Sequence, residues 1–309
     1  MVNRKSASFY IKGIVTLIIK LAISVLLVRI AIRKVDLSEL GRIYGTIDVF
    51  QTGAIALFIL ANWALQVIRW GLILRSNGVP ASFTETLKSY FIGYTFRLLI
   101  PGGYAEFLKI YYLNGKRRLG FIAYGVEMAT MAVTQVLALA VAGFYLFPGQ
   151  RIVFVILAVS AVVTGLFLPY LRKVKFIGKF VPAQTLRYSL ILQSCLLTLV
   201  SLIAINWQYH FVLNWYSSIS WLSCAAAVIF VLCSGSVPFT FAGLGVRENL
   251  SIYLFGLFGV KSSVAVATSL FIFSTNFVLP ALVGLVFILL HQVKRRALPV
   301  PVHSIPPEA

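Results

Sequence analysis

The sequence predicts an all-α polytopic membrane protein with about six spanning helices, two opposed re-entrant or broken helix hairpins and an inverted internal repeat. Three observations carry that prediction. Apolar stretches of about 20 residues recur along nearly the whole chain, each long enough for the roughly 30 Å hydrocarbon layer. Helix breakers are concentrated at two places, 101–103 and 238–245, inside otherwise apolar sequence. The residues flanking the two breaks match one another in order.

With 60% hydrophobic and 11% charged residues and a mean hydropathy of +0.94, the chain cannot form a soluble globule. The runs are continuous rather than alternating, which argues against a β-barrel. The formal net charge of +19 resides largely at the ends of apolar runs. There it serves as a topology signal and an attraction for anionic lipid head groups. No polar domain is present to bind nucleic acid. Cys195, Cys224 and Cys233 lie in apolar runs without metal-type spacing, and His210, His291 and His303 are scattered, so neither a disulfide framework, a metal site nor a cofactor is expected.

Spans are expected at 13–32, 52–74, 119–147, 152–171, 189–213 and 262–291. The basic start leads into an apolar stretch too long for a signal peptide and without a cleavage site, so it reads as a retained first helix. In "DLSELGRIYGTIDVF", Asp36 followed by Glu39 marks the start of a short interfacial helix. One domain thus covers 1–296. The proline-rich tail, 297–309, is expected to be disordered.

Two regions, 82–114 and 219–258, depart from the simple-helix template. Each runs as an apolar helix, a Pro/Gly break and a short segment opening with a carboxylate. "EFLKIY" (106–111) and "ENLSIY" (248–253) share Glu-x-Leu-x-Ile-Tyr, and each is followed by Gly, Lys and a long helix carrying Ala-Thr. Upstream, "ANW" (61–63) and "INW" (205–207) hold similar places. Their common order indicates a duplication, with repeat one at about 48–147 and repeat two at about 189–291.

Positive charge orients the repeats. With Arg4 and Lys5 inside, the basic cluster Lys116, Arg117 and Arg118, the segment "LRKVKFIGK" and Lys294 to Arg296 also fall inside. Both termini are then cytoplasmic. Region 82–114 starts and finishes inside and region 219–258 outside, so the repeats are inverted. Residues 83–100 are long enough to cross, in which case their short partner crosses too and the loop sides are unchanged. The second arms, at about 11–14 residues, are short for a span and favour hairpins.

Broken backbone at membrane depth needs protein or a water-filled cavity to satisfy its polar groups. Opposed breaks in inverted halves point to a central transport site. Short helices opening near Ala105 and Val246 present free N–H groups, and Gly102, Gly103, Gly243 and Gly245 permit close backbone approach. With Arg97 and Arg247 they suit an anion such as phosphate. Glu106 and Glu248 fit either the site or a capping role. Arg247 fits either a ligand or a carboxylate. Glu127 is placed to accept a proton or pair with a base, whereas Lys20 and Arg69 read as snorkelling side chains and the Asn-Trp pairs as packing marks.

At these residues the sequence resembles the lysylphosphatidylglycerol synthetase transmembrane-region family, which includes the flippase half of bacterial multiple peptide resistance factors. "PGGYAEFLK" (101–109) is similar to the family's P-G-x-x-G-E-x-x-R/K, and "PFTFAGLGVRENL" (238–250) to its P-x-x-x-G-G-x-G-x-R-E. Ala105 and Ala242 stand where the family often has Gly, and Glu127 is followed by Met128 where the family often has Arg. No counterpart of the soluble aminoacyl-transferase domain is recognisable, so synthase activity is not expected. The resemblance implies movement of a lipid or lipid-linked head group between leaflets of the cytoplasmic membrane. The leading expectation is a non-enzymatic flippase for a phosphate-bearing lipid. The alternative is a non-transporting scaffold or regulator partnered with an envelope-lipid enzyme. An intramembrane enzyme ranks lowest, since no nucleophile–base pair or metal set is visible. No Walker-type nucleotide motif is present either.

Overall fold

The computed structural model describes residues 48–100, 104–114, 117–173, 186–236, 240 and 243–297, together with Leu26, Arg29, Ile30 and Gly45. The described residues are helical, with turns and no strand. Most of the first expected span, the interfacial segment and the tail lie outside them, although Leu26, Arg29 and Ile30 are helical.

Five helical stretches are long and apolar enough to cross a membrane, and they coincide with five of the six expected spans. They are α1 (Val49–Ser76), α3 (Arg117–Leu146), α4 (Arg151–Phe167, with flanking 3₁₀ turns), α5 (Tyr188–Asn214) and the stretch α8–α9. In that last stretch α8 (Ser262–Phe273) and α9 (Leu279–Ala297) are joined by a π-helical turn, Ser274–Val278. Pro280 accounts for the turn, because it lacks an N–H and its ring crowds the carbonyl four residues back. A chain whose apolar faces look outward needs lipid around it, and α4 is the clearest case. Ile152, Ile156 and Phe167 on that helix are 77%, 62% and 61% exposed.

The broken regions form as two shorter pairs. In the first, α2 (Phe83–Leu99) is followed by a 3₁₀ arm, Tyr104–Tyr112, packed back against it. Ser82 and Glu85 close a capping box at the start of α2, the Ser82 Oγ accepting from the Glu85 N–H while the carboxylate accepts from Ser82 N–H at 2.9 Å. In the second, α6 (Trp221–Cys233) turns through a break into α7 (Val246–Gly256). At about 1.5 Å per residue, α6 and α7 are roughly 20 and 16 Å long, well short of a bilayer core.

Packing links elements from the two halves of the sequence. Helix α1 lies along α5, α2 packs on α9, and α6 packs on α3. Contacts along α1 and α5 run in opposite senses: Asn62 meets Ser201, and Arg69 meets Thr198. One apolar core gathers Trp70, Ile73, Tyr90 and Ala123 from the first half, and a second gathers Tyr209, Val228, Phe255 and Ala265 from the second half. Helix α1 contributes to both, through Ile55 and Ile59 to one and Val67 to Leu74 to the other.

Candidate functional site

The second break is built around two glycines. Gly243 has φ +81°, and a Cβ there would fall 2.9 Å from the Ser234 carbonyl, so the chain passes directly over the end of α6. Gly245, at φ +84°, is the N-cap of α7. These are conformations an L side chain rarely adopts. The Glu248 carboxylate turns back to accept the Gly245 N–H, which is the capping role the sequence allowed. Its other oxygen takes the guanidinium of Arg247. Arg247 also donates to Ser269 Oγ at 3.2 Å and lies 3.8 Å from the centre of the Phe273 ring.

Around the first break the charges form a continuous chain. The 3₁₀ turn eclipses residues three apart, which brings Glu106 and Lys109 together at 2.9 Å. Lys109 has no exposed surface; its ammonium also reaches Glu127 at 2.6 Å and lies 4.0 Å from the centre of the Trp70 ring. Glu127, on α3, accepts Arg69 at 3.2 Å, and Arg69 donates onward to Thr198 Oγ1 at 2.7 Å. At the other end Arg97, in the last turn of α2, stands 3.8 Å from Glu106. The arm comes this close because of glycine on both neighbours. A Cβ at Gly93 would lie 3.0 Å from Lys109 Cδ, and one at Gly120 would lie 2.5 Å from Ile110.

Arg97 and Arg247 then meet at a single cavity of about 170 Å³. Residues from both halves line it, including Gln66 on α1, Gln135 on α3, Thr198 and Ser201 on α5 and Asn276 in the π turn. The two arginines are mounted alike: Arg97 lies over Phe277 at 5.3 Å, as Arg247 lies over Phe273. These two rings stack on each other, with centroids 5.0 Å apart. The Arg97 Nε is buried without a hydrogen-bond partner among the described residues. The ion pairs join four cations, Arg69, Arg97, Lys109 and Arg247, to three carboxylates, Glu106, Glu127 and Glu248. One positive charge is left in excess.

Of the residues singled out from the sequence, the cavity takes Arg97 and Arg247 directly. Glu106 and Glu248 stand behind them as counter-charges, Gly243 and Gly245 shape the break, and Glu127 pairs with bases. Gly102 and Gly103 lie outside the described residues. Arg69 does not snorkel: it is 3% exposed, held between Glu127 and Thr198. Although residue 128 is Met, Glu127 has two ion-pair partners, drawn from other elements. Lys109 and the neutral lining were not singled out. A signal for part of the lining was present: Asn62, Gln66 and Arg69 are spaced as one helical face, as are Ser194, Thr198 and Ser201. The first Asn-Trp pair joins that seam, Asn62 donating to Asn276 at 3.0 Å and accepting from Ser201.

Compared with protein families, the chain matches the one described as "Lysylphosphatidylglycerol synthase TM region" over residues 17–284. No curated protein matches it.

Proposed function

The chain belongs to the lysylphosphatidylglycerol synthase transmembrane-region family, and from that premise we propose that it is a lipid flippase or transporter of the cytoplasmic membrane, not an enzyme. It moves a phosphate-bearing lipid or lipid-linked head group between leaflets. The observation that carries this reading is the meeting of Arg97 and Arg247, one beside each break, at a single cavity with one positive charge in excess. A cavity of roughly 150 Å³ holds a ligand the size of benzene. This one therefore has room for a head-group phosphate and a few further atoms, while acyl chains stay in lipid.

The mechanism follows from the fixed cations. A head group that leaves water must exchange its hydration for protein partners, or the desolvation cost stops it. Guanidinium forks match phosphate oxygens in pairs. Glu106 and Glu248 hold the two arginines in orientation while the site is empty. The long Arg97–Glu106 contact is the one a phosphate displaces most readily. The breaks enter from opposite faces as re-entrant hairpins, and the halves form an inverted repeat. The matched packing of α2 on α9 and of α6 on α3, and the opposed run of α1 and α5, support that arrangement. With both termini cytoplasmic, rocking of one half against the other opens the cavity to each leaflet in turn.

The test is movement of fluorescent lipid in proteoliposomes with an impermeant quencher, normalised to folded protein by its size-exclusion profile. Arg247→Ala and Gly245→Val should abolish movement while folded protein remains, and Arg247→Lys should rescue it only in part. Full activity per folded molecule in both of the first two variants would remove the anion site and leave a membrane scaffold for an envelope-lipid enzyme as the leading reading.

A further inference from the structure

We propose that a second cavity, where α2, the 3₁₀ arm and α9 meet, seats a phospholipid of the surrounding leaflet. Lys88, Tyr112 and His291 take its phosphate, and Ile92, Phe287 and Leu290 take the start of an acyl chain. These six residues line a space of about 170 Å³. None of them lines the cavity between the breaks, and the inference does not depend on the transport reading.

Each polar group in the lining can donate a hydrogen bond. Lys88 brings an ammonium, Tyr112 a phenol, and an imidazole donates from one nitrogen even when neutral. Among the described residues lining the cavity there is no carboxylate. Glu85, one turn before Lys88, is already engaged: one oxygen accepts from the Ser82 N–H at 2.9 Å and the other from the Asn114 side-chain amide. Lys88 has no ion-pair partner among the described residues, and Tyr112 and His291 make no hydrogen bond among them. The Tyr112 ring meets His291 and Phe96 with centroids 5.5 and 6.1 Å away, which fixes the phenol beside the imidazole.

Depth and shape point to lipid as the source of the phosphate. Lys88 lies about 8 Å along α2 from its start at Phe83, and His291 about 9 Å along α9 from its end at Ala297. The positive-charge pattern puts both of these helix ends at the cytoplasmic face, within reach of head groups for a long cationic side chain. Ile92 is buried and Leu290 exposed, so the cavity is floored by the core and open towards the hydrocarbon. A phosphate bound there ties α2 to α9 at the ends of these helices away from Arg97 and Phe277.

The experiment photolabels the full chain in detergent with phosphatidylglycerol carrying a diazirine on one acyl chain, and maps the adducts by peptide mass spectrometry. Adducts should fall on 88–92 and 287–291, and unlabelled phosphatidylglycerol should displace them. Diacylglycerol with the same chains should need at least about tenfold more, the difference made by one charged hydrogen bond. Lys88→Gln should raise the displacing concentration of phosphatidylglycerol by about the same factor, and Lys88→Arg should restore it. Lys88 is exposed, so both variants should keep the wild-type size-exclusion profile. Equal displacement by diacylglycerol, or no change in Lys88→Gln, would overturn the inference and leave an apolar groove. Displacement by glycerol 3-phosphate as readily as by lipid would overturn it in favour of a soluble phosphate. Loss of these adducts in Arg97→Ala would overturn it by placing the labelled lipid between the breaks. Lipid movement is not read in this assay, so adducts that behave as expected on a chain that moves no lipid uphold the inference while the transport reading fails.

Discussion

Lys109 and Arg97 belong to one chain of charges, yet removing a partner has different consequences at its two ends. Lys109 is wholly buried between two carboxylates, and Glu127 is shared between Lys109 and Arg69. Taking one member from a buried pair strands the others at a cost of about 3–5 kcal/mol. Glu127→Gln should therefore lower the unfolding free energy in detergent by about that amount, read from a denaturant titration. Arg97 has a 23% exposed side chain and a 3.8 Å contact, so Arg97→Ala should cost below about 1 kcal/mol. Its effect should instead appear in lipid movement. A matched loss of stability in both variants would show that Arg97 is structural.

Among the elements, α2 and α9 approach closely at Gly284, against backbone rather than side chain. A Cβ added to Gly284 would fall 2.1 Å from the Phe91 carbonyl oxygen and 2.4 Å from Thr95 Oγ1, which already donates to the Ala281 carbonyl at 2.6 Å. Backbone cannot yield as a side-chain tip does, and overpacking typically costs about 1–3 kcal/mol. Gly284→Ala should lower the melting temperature and broaden the size-exclusion peak. Gly125 has nothing within 4 Å of its added Cβ, so Gly125→Ala should be neutral or gain up to about 1 kcal/mol of helix propensity. These elements differ in how far sequence revealed them. The long spans were legible because hydropathy reports a continuous apolar run, and both breaks because proline and glycine interrupt it. The 3₁₀ form of 104–112 was not, since the apolar pattern of nine residues does not distinguish it from an α-helix. Nor was the π turn at 274–278, which departs from the single helix expected over 262–291. The partners of Lys109 were hidden for a different reason. Its two acids are three and eighteen residues away, and only the glycine contacts at Gly93 and Gly120 fix the arm where one ammonium reaches both.

Taken as a whole, the molecule places charged residues from both halves of the sequence around one cavity, with greasy faces turned outward. The inverted arrangement is tested by replacing Cys195, Cys224 and Cys233 and introducing single cysteines. Cysteines at Arg117 and Arg172 should label from the cytoplasm, and cysteines at Gln150 and Ser217 from outside. Labelling of 117 and 150 from the same face would break the inverted-repeat account. The central claim, that Arg97 and Arg247 form one anion site, is tested most directly by a double-mutant cycle on lipid movement per folded molecule. Residues that act as a unit are strongly non-additive. Arg97→Ala and Arg247→Ala should each reduce phosphatidylglycerol movement to near the empty-vesicle rate, and the double variant should fall no further than the more severe single. Two partial losses that multiply in the double variant would mean that the arginines act independently, contradicting a shared site.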